Sequence, residues 1–458
     1  MRPFISPSSQ DTAMNDNLDL AGIGIGPFNL SLAALLSKVP QCRARFFERR
    51  DSFNWHPGMM LPGTQMQTSY LKDLVTPVDP SSPYGFLSYL VKKGRFYRFI
   101  NAEYPRVRRV EFADYLRWVA EQLPNLSFGT GVDSIEFAQN GFKLSGNGLD
   151  GVHSRHLVVA TGMRPNIATW VERYVGEQCL HSHHYVTADF SVTGKRVAII
   201  GGGQSGAEIF LDLMAGKRGR ADEITWISRR PNLEPLDETA FINEYFTPDY
   251  VRHFHKLPEQ RKPPIVSSHK LTGDGVSPAT LQVLSQYLYD TDFLNSDTTP
   301  YAILPYREVH LMGRDKGGYH LHMRNGFNND DEAVVADMII LATGYHYQLP
   351  ACLSAIIDRL DLDEEGFPRL REDYSVAWDG PEQHRIYLQN AGRNSHGVAD
   401  AQLSLAAWRS AMIINSLLEN PVYDVDPCST ALKWVRNTPD QIESDASTLE
   451  TEKIYRVG

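Results

Sequence analysis

Two segments of the chain combine an apolar strand, a glycine-rich turn and the start of a helix. The glycines are Gly22, Gly24 and Gly26 in the first segment and Gly201, Gly203 and Gly206 in the second. Such a turn lets the backbone approach a ligand closely, and the helix start offers free N–H groups and the positive end of its dipole to a pyrophosphate. The repetition predicts an α/β protein with two dinucleotide-binding, Rossmann-like domains.

Residues after the second strand of each unit suggest which nucleotide it binds. Glu48 follows the strand after the first turn, where a carboxylate accepts hydrogen bonds from a ribose and suits FAD or NAD. Arg229 and Arg230 take the corresponding place in the second unit, where they would pair with the 2′-phosphate of NADPH. The strands that return to the two sheets both end in Ala-Thr-Gly, at 160–162 and 342–344. This shared ending predicts that the NADPH domain is inserted into the FAD domain.

The domain limits follow from that arrangement. Residues at both ends of the chain are polar and are predicted to be poorly ordered, and Met14 is an alternative to Met1 as the true start. The predicted limits are 1–17 for a disordered leader, 18–165 and 345–427 for the discontinuous FAD-binding domain, 190–344 for the NADPH-binding domain with a small, mostly helical substrate-site segment at about 231–290, and 428–458 for a polar tail.

Composition excludes several classes of protein. A net charge of -10 argues against a nucleic-acid partner, and no run approaches the roughly 20 apolar residues that span a bilayer, so we expect a soluble protein without stable membrane insertion. The 4 cysteines form no Cys-x-x-Cys pair, which fits the cytoplasm and argues against a disulfide reductase. The histidines within 181–184 lack partners at ligand spacing, so a polar loop is predicted there, and no metal site. The remaining common use of the two sites is reduction of a flavin by NADPH, followed by reaction with O₂.

Six motifs together resemble the microbial N-hydroxylating flavin monooxygenases of siderophore biosynthesis, with the greatest likeness to the lysine N6-hydroxylases. The motifs are Gly22-Ile-Gly-Ile-Gly-Pro-Phe-Asn-Leu-Ser31, Trp55-His-Pro-Gly-Met59, Met66-Gln-Thr-Ser-Tyr-Leu-Lys-Asp-Leu74, Gly201-Gly-Gly-Gln-Ser-Gly206, Asn243-Glu-Tyr-Phe-Thr-Pro248 and Ala342-Thr-Gly-Tyr345. The resemblance covers about Asp19 to Asn415. It implies FAD and NADPH as cofactors, a homotetramer, and oxygen transfer from a C4a-hydroperoxyflavin to the terminal primary amine of a small molecule, which must arrive neutral.

The resemblance also implies site residues. Those of the FAD site are Gly22, Gly24, Gly26, Pro27, Asn29 and Glu48, with Trp55 and His56 beside it. Those of the NADPH site are Gly201, Gly203, Gln204, Ser205, Gly206 and Arg229. Gln67 falls near both the flavin and the nicotinamide, and Tyr345 follows the second return strand. The segment predicted to close over the isoalloxazine contains His396, Gly397, Leu403 and Ser404. Within this set and the substrate site, the candidates for a direct part in catalysis are Gln67, Lys72, Asn243 and Ser404.

Two of these residues bear on the identity of the amine. Lys72 falls where amino-acid hydroxylases hold the substrate carboxylate and where diamine enzymes have an uncharged residue, so it favours L-lysine. Asn243 falls where ornithine enzymes contact the α-substituents, whereas an acidic residue is expected there in lysine enzymes. A diamine such as cadaverine or putrescine, or a related precursor, therefore stays open. So do a Baeyer–Villiger or sulfide-oxidising flavoprotein, and a redox sensor that binds nucleotides without turnover.

Overall fold

The computed structural model describes residues 17–138, 140–149, 151–295, 298–426 and 430–436. The predicted leader, apart from Asn17, and the predicted tail, apart from 430–436, lie outside these described residues. The strands are β1 Asn17–Ile23, β2 Ala44–Phe47, β3 Leu126–Ser127, β4 Val132–Ala138, β5 Gly141–Gly146, β6 Val152–Val159, β7 Arg164–Pro165, β8 Cys179–His181, β9 Arg196–Ile200, β10 Glu223–Ile227, β11 Tyr301–Leu304, β12 Arg307–Asp315, β13 Gly318–Asn325, β14 Asp331–Ala336, β15 Met338–Leu341, β16 Tyr345–His346 and β17 Ile386–Leu388. The α-helices are α1 Pro27–Leu36, α2 Phe86–Lys92, α3 Phe96–Asn101, α4 Arg109–Ala120, α5 Gln204–Met214, α6 Pro248–His255, α7 Lys262–Ser268, α8 Leu271–Asp274, α9 Pro278–Phe293, α10 Arg393–His396 and α11 Ala406–Leu418.

The first sheet contains the first glycine turn. Its order is β3-β2-β1-β6-β5-β4, and β17 pairs with β6. The strands beside the turn, β2 and β6, both run parallel to β1, while β4 and β5 form an antiparallel extension. In sequence, β17 follows all the strands of the second sheet. The second sheet is therefore inserted between the strands of the first.

The second sheet contains the second glycine turn. Its order is β11-β10-β9-β15-β8, and the paired strands are parallel. The antiparallel sheet β12-β13-β14 is attached beside it. The chain passes between the two large sheets twice, once through β7 and once through β16. These two short strands pair with each other in an antiparallel ladder. This arrangement confirms the predicted fold class, with one dinucleotide-binding unit inserted into another.

Helix α1 illustrates how the sequence positions the first turn. Pro27 occupies its first turn, where a missing N–H leaves no backbone bond unmade. Nearly every residue of this helix is buried, because it lies against the first sheet and also packs on α11. Apolar residues on all sides are expected of a helix enclosed in this way.

Helices α6 to α9 lie between β10 and β11 and form a small helical region. Thr247 caps α6 and Ser277 caps α9, each accepting a bond from a backbone N–H of its helix. Among the described residues, no helix combines the length and apolarity that crossing a bilayer requires.

Candidate active site

The first glycine turn is compressed on one side and open on the other. Gly24 has a φ of +84°, and a Cβ atom there would lie 2.6 Å from the carbonyl oxygen of Ala160. A Cβ atom on Gly22 would lie 2.0 Å from the ring of Phe46. At Gly26, by contrast, the nearest atom is 4.0 Å away. The backbone at the start of α1 is therefore accessible to a ligand group such as a pyrophosphate.

Polar side chains hold this turn in shape. Glu48 accepts hydrogen bonds from the backbone N–H groups of Ile25, at 3.0 Å, and Arg50, at 3.1 Å. The buried Asn29 donates to the carbonyl oxygen of Gly24 at 2.8 Å and accepts from Gln389 at 2.7 Å. Gln389 follows β17, and its buried Oε1 atom has no hydrogen-bond partner in the described part of the chain. Sequence analysis missed it, and its only signal was its place after an apolar strand.

The second turn repeats the device of the first. Gly201 has a φ of +129°, and a Cβ atom there would lie 2.1 Å from the carbonyl oxygen of Ala342. Ala160 and Ala342 begin the two Ala-Thr-Gly endings, whose glycines, Gly162 and Gly344, have φ values of +82° and +80°. In each unit, the alanine carbonyl at the end of the return strand therefore lies against the glycine turn of that unit.

A cluster of aromatic and imidazole rings forms around Tyr345, directly after the second return strand. Trp55 and His56 have ring centroids 5.2 Å apart, and His56 lies 6.2 Å from the ring of Tyr345. His181 Nε2 lies 3.1 Å from the carbonyl oxygen of Gly344. The prediction of a polar loop is wrong for His181, because this residue is buried at the end of β8.

The histidines of this cluster are held neutral. Burial lowers the pKa of His181 to about 4, against the opposing effect of its backbone partner. Solvent reaches His56, but the surrounding protein lowers its pKa to about 4 by desolvation, with smaller contributions from neighbouring basic side chains. Neither ring therefore carries a positive charge at neutral pH. Across the described residues, no group of three or more His, Cys, Asp or Glu side chains is placed to hold a metal ion.

The predicted substrate residues lie on two neighbouring segments joined by Arg106. The carbonyl oxygen of Gln67 accepts a bond of 2.6 Å from Arg106 Nη1, and the same nitrogen lies 2.8 Å from a carboxylate oxygen of Glu238. Asn243 in turn donates to the Glu238 carbonyl oxygen at 3.3 Å. Burial lowers the pKa of the half-buried Lys72, which follows Gln67 on the same loop.

The C-terminal segment is largely enclosed by protein. The His396 ring is buried and stacks on Tyr374 with centroids 4.0 Å apart. Gly397 has a φ of +80°, and a Cβ atom there would lie 3.2 Å from the ring of Tyr250. Leu403 is half-buried against the core, while the buried Ser404 hydroxyl has no hydrogen-bond partner among the described residues.

Comparison with known proteins gives this arrangement a family. A sequence model described as L-lysine 6-monooxygenase/L-ornithine 5-monooxygenase matches residues 16–347. This chain belongs to that family. It is 36% identical to an L-lysine N6-monooxygenase from Escherichia coli, over 93% of this chain and 100% of that protein.

Solved structures of lysine/ornithine monooxygenase relatives agree with this assignment. A cadaverine monooxygenase of the desferrioxamine pathway from Erwinia amylovora, bound to FAD, superimposes with a TM-score of 0.85 at 28% identity, covering 92% of this chain and 99% of that one. An ornithine N-hydroxylase from Kutzneria sp. 744, with reduced FAD, NADP⁺ and L-ornithine, gives 0.81 at 28% identity, covering 88% and 99%. The resemblance predicted from the motifs is confirmed, and the chain is a flavin-dependent N-monooxygenase that uses FAD and NADPH. The broader alternatives, a Baeyer–Villiger or sulfide-oxidising enzyme and a redox sensor, are not the chemistry of this family.

The residues around the first turn fit the FAD that this family uses. The backbone at Gly26 is open, and the carboxylate of Glu48 lies beside the turn. The buried oxygen atoms of Gln389 and Ser404 have no partner within the described parts of the chain. The FAD contacts predicted for Gly26 and Glu48, and the place of Ser404 in the segment over the isoalloxazine, stay predictions.

The two arginines at the second turn have different surroundings. Arg230 is largely buried and donates to the carbonyl oxygen of Asp274 at 2.9 Å. The Arg229 side chain is 72% exposed, and its nearest carboxylate, on Glu308, is 3.9 Å away. Arg229 is therefore available to a phosphate group, whereas Arg230 supports the protein itself.

Replacing Arg229 with alanine is expected to reduce kcat/KM for NADPH by about 10–100-fold, because the charged contact with the 2′-phosphate is lost. The value for NADH, which lacks that phosphate, should change little. Steady-state NAD(P)H oxidation with both nucleotides tests this. Arg324→Ala, which removes another exposed arginine, serves as the control and should leave both values unchanged. Equal losses for NADPH and NADH in Arg229→Ala would contradict the assignment.

Other side chains at the second turn support neighbouring elements. Gln204 accepts a bond from the backbone N–H of Ser277 at 2.8 Å and donates to Thr280 and Glu208 at 2.9 Å. Its side chain therefore ties α5 to α9, and only its backbone is placed to face a nucleotide. The half-buried Ser205 follows it in the first turn of α5.

A cavity of about 280 Å³ lies near the second turn, and sequence analysis missed it. Its wall includes Lys270, Asp274, Arg393 and Asn394, and the carbonyl oxygen of Asp274 is 3.7 Å from the position of a Cβ atom on Gly203. The cavity therefore lies between Asp274, which is next to the second turn, and α10 of the C-terminal segment, and two basic residues line it. These residues belong to no nucleotide motif, so the sequence contained no signal for them.

Proposed function

We propose that this enzyme hydroxylates the terminal amine of L-lysine to give N6-hydroxylysine for a hydroxamate siderophore. The observation that carries the proposal is the half-buried ammonium of Lys72, which has no ion-pair partner among the described residues. A desolvated cation on the loop that also carries Gln67 is suited to a substrate carboxylate. The named activity of the Escherichia coli relative supports the same substrate.

The overall reaction consumes one amine, O₂, NADPH and a proton and yields the hydroxylamine, NADP⁺ and water. The bound FAD, once reduced by NADPH, supplies the activation of O₂. The chain binds and orients the amine and excludes water. Lys72 and Asn243 would hold the α-end, so that the terminal amine points toward Gln67 and the segment with Ser404. The amine must be neutral to offer its lone pair, and a desolvated pocket favours that form.

A diamine is the second candidate. The Erwinia amylovora relative is named as a cadaverine monooxygenase, and Asn243 is not the acidic residue expected of a lysine enzyme. Cadaverine lacks the carboxylate that Lys72 would bind, so the two substrates differ at a defined point.

We also propose a homotetramer in the cytoplasm and the domain limits predicted from the sequence. Exposed apolar side chains on α2 and α3, among them Val91 and Tyr97, support a subunit interface. The strands of the second sheet all lie between residues 179 and 341, which supports an NADPH domain at 190–344 with one additional strand before it.

Lysine turnover is expected to exceed that of every other small amine. The purified FAD enzyme would be assayed with NADPH and L-lysine, L-ornithine, cadaverine, putrescine or histamine, scoring the hydroxylamine formed. We expect kcat/KM for L-lysine to be at least about tenfold above that for cadaverine, because the carboxylate contact is worth more than about 1.4 kcal/mol. An equal or higher value for cadaverine would favour the diamine, and NADPH oxidation without hydroxylamine from any amine would refute the proposal.

A further inference from the structure

One acidic side chain beside the substrate residues lacks a partner. Glu244 lies in the turn Ile242–Phe246 directly after Asn243. Its Oε2 atom is shielded from solvent; within the described residues, no donor bonds to this atom and no cation lies within 4.0 Å of the carboxylate. The neighbouring Glu238 differs, because it is paired with Arg106 at 2.8 Å. A half-buried carboxylate without a counter-charge is stabilised when a cation binds to it.

The charge of Glu244 is felt at the ammonium of Lys72, where it opposes the effect of burial on the pKa. The two groups are nevertheless more than 4.0 Å apart, because no ion pair forms between them. The two opposite charges therefore interact without forming an ion pair. A ligand that carries both charges on adjacent atoms would satisfy both.

The turn that carries Glu244 also contacts the C-terminal segment. It packs on the turn Val398–Ala401, which directly follows Gly397. The turn of Glu244 is thus linked to the Gln67–Lys72 loop through Asn243, Glu238 and Arg106, and it also contacts the segment predicted to close over the isoalloxazine. This position suits the end of a substrate whose other end must reach the cofactor.

We propose that Glu244 binds the α-ammonium of the substrate while Lys72 binds the α-carboxylate, so that the pair selects a zwitterionic α-end. This inference rests on the proposed amine hydroxylation. A diamine would satisfy Glu244 and be repelled by Lys72. A substrate with a carboxylate but no α-ammonium would satisfy Lys72 and be repelled by Glu244. Glu244 is then a specificity-determining residue, distinct from the groups that handle oxygen transfer.

Three substrates separate the two charges. L-Lysine has both groups, cadaverine lacks the carboxylate, and 6-aminohexanoate lacks the α-ammonium. In Glu244→Gln, kcat/KM for hydroxylamine formation should fall by about 10–100-fold with L-lysine and cadaverine, because the charged contact is lost. With 6-aminohexanoate it should stay the same or rise. Lys72→Met should show the complementary pattern, losing L-lysine and 6-aminohexanoate while keeping cadaverine.

Several measurements keep the result interpretable. FAD content and the rate of flavin reduction by NADPH report on folding and should match the wild type in both variants. Glu244→Asp, which keeps the charge, should retain part of the activity with L-lysine. Glu419→Gln, at an exposed site, should leave kcat/KM unchanged for all three substrates. Each variant is compared with the wild type on the same substrate, so the contrast can be read even if the wild type prefers cadaverine.

Equal losses of Glu244→Gln on all three substrates, or no loss on L-lysine, would overturn the role of Glu244 while leaving the proposed function intact. A wild-type enzyme that hydroxylates none of the three would overturn the proposed function and this inference with it.

Discussion

Replacing Gly201 with alanine is expected to abolish productive NADPH binding. The residue has a φ of +129°, and the added Cβ atom would lie 2.1 Å from the carbonyl oxygen of Ala342. Backbone strain in this region amounts to about 1–3 kcal/mol, and the contact with a backbone atom must be relieved by moving β15 or the turn itself. We expect KM for NADPH to rise by more than about 100-fold, measured from initial rates of NADPH oxidation and from stopped-flow flavin reduction.

Gly194 provides the matched control for that substitution. It lies just before β9 in the same unit and also has a positive φ, +67°, but a Cβ atom there would meet nothing within 4 Å. Gly194→Ala should therefore cost only the strain of a left-handed residue, about 1–2 kcal/mol of stability, and leave NADPH kinetics near those of the wild type. If Gly201→Ala also reduces the flavin normally, the close approach of Ala342 does not constrain the nucleotide turn.

Replacing Arg409 with methionine is expected to lower the free energy of unfolding by about 3–5 kcal/mol. Arg409 and Asp400 form a fully buried ion pair at 3.1 Å, and Asp400 also accepts a bond of 2.7 Å from the backbone N–H of Gly392. The guanidinium lies over the rings of Phe28, at 4.5 Å, and Tyr374, at 5.0 Å. Its removal leaves the carboxylate buried without a counter-charge. Urea unfolding followed by tryptophan fluorescence measures the loss.

The double variant Arg409→Met/Asp400→Asn separates the unpaired charge from lost packing. It removes the buried charge and keeps an acceptor for Gly392, so it should recover part of the lost stability. Arg49→Met is the exposed counterpart, because Arg49 and Asp133 are 72% and 60% exposed, and it should change stability by less than about 1 kcal/mol. A loss of less than about 1 kcal/mol for Arg409→Met would contradict the expected cost of leaving Asp400 buried without a counter-charge.

The two units are connected by a second largely buried ion pair. Arg109 on α4 binds Glu208 on α5 with bonds of 2.9 and 3.1 Å, and the same arginine donates to the carbonyl oxygen of Met59 at 2.8 Å. Glu208 also accepts from Gln204. The segment that carries Trp55 and His56 is therefore tied to α5, the helix that begins at the second glycine turn.

The two glycine turns could be predicted from the sequence because the geometry of each depends on a short stretch of chain. A positive φ, an apolar strand before it and a helix after it depend on residues close together in the chain. The repeated Ala-Thr-Gly endings similarly indicated the insertion. The wrong interpretation of His181 arose because a polar side chain in a short segment is typical of a loop, whereas here a strand carries it into the interior.

Contacts between distant residues were decided only by the tertiary structure. Asn29 and Gln389 bond across 360 positions, and no local pattern links them. Arg229 and Arg230 are equivalent in the sequence, yet the position of Asp274 makes one a support and leaves the other exposed. Glu238 and Glu244 are likewise two acidic residues of one short segment, yet only Glu238 forms an ion pair with Arg106. The sequence by itself determined the two nucleotide-binding units and the family. The tertiary structure decided which charged side chains are already paired and which remain available to a ligand, because pairing depends on neighbours that come together only when the chain folds.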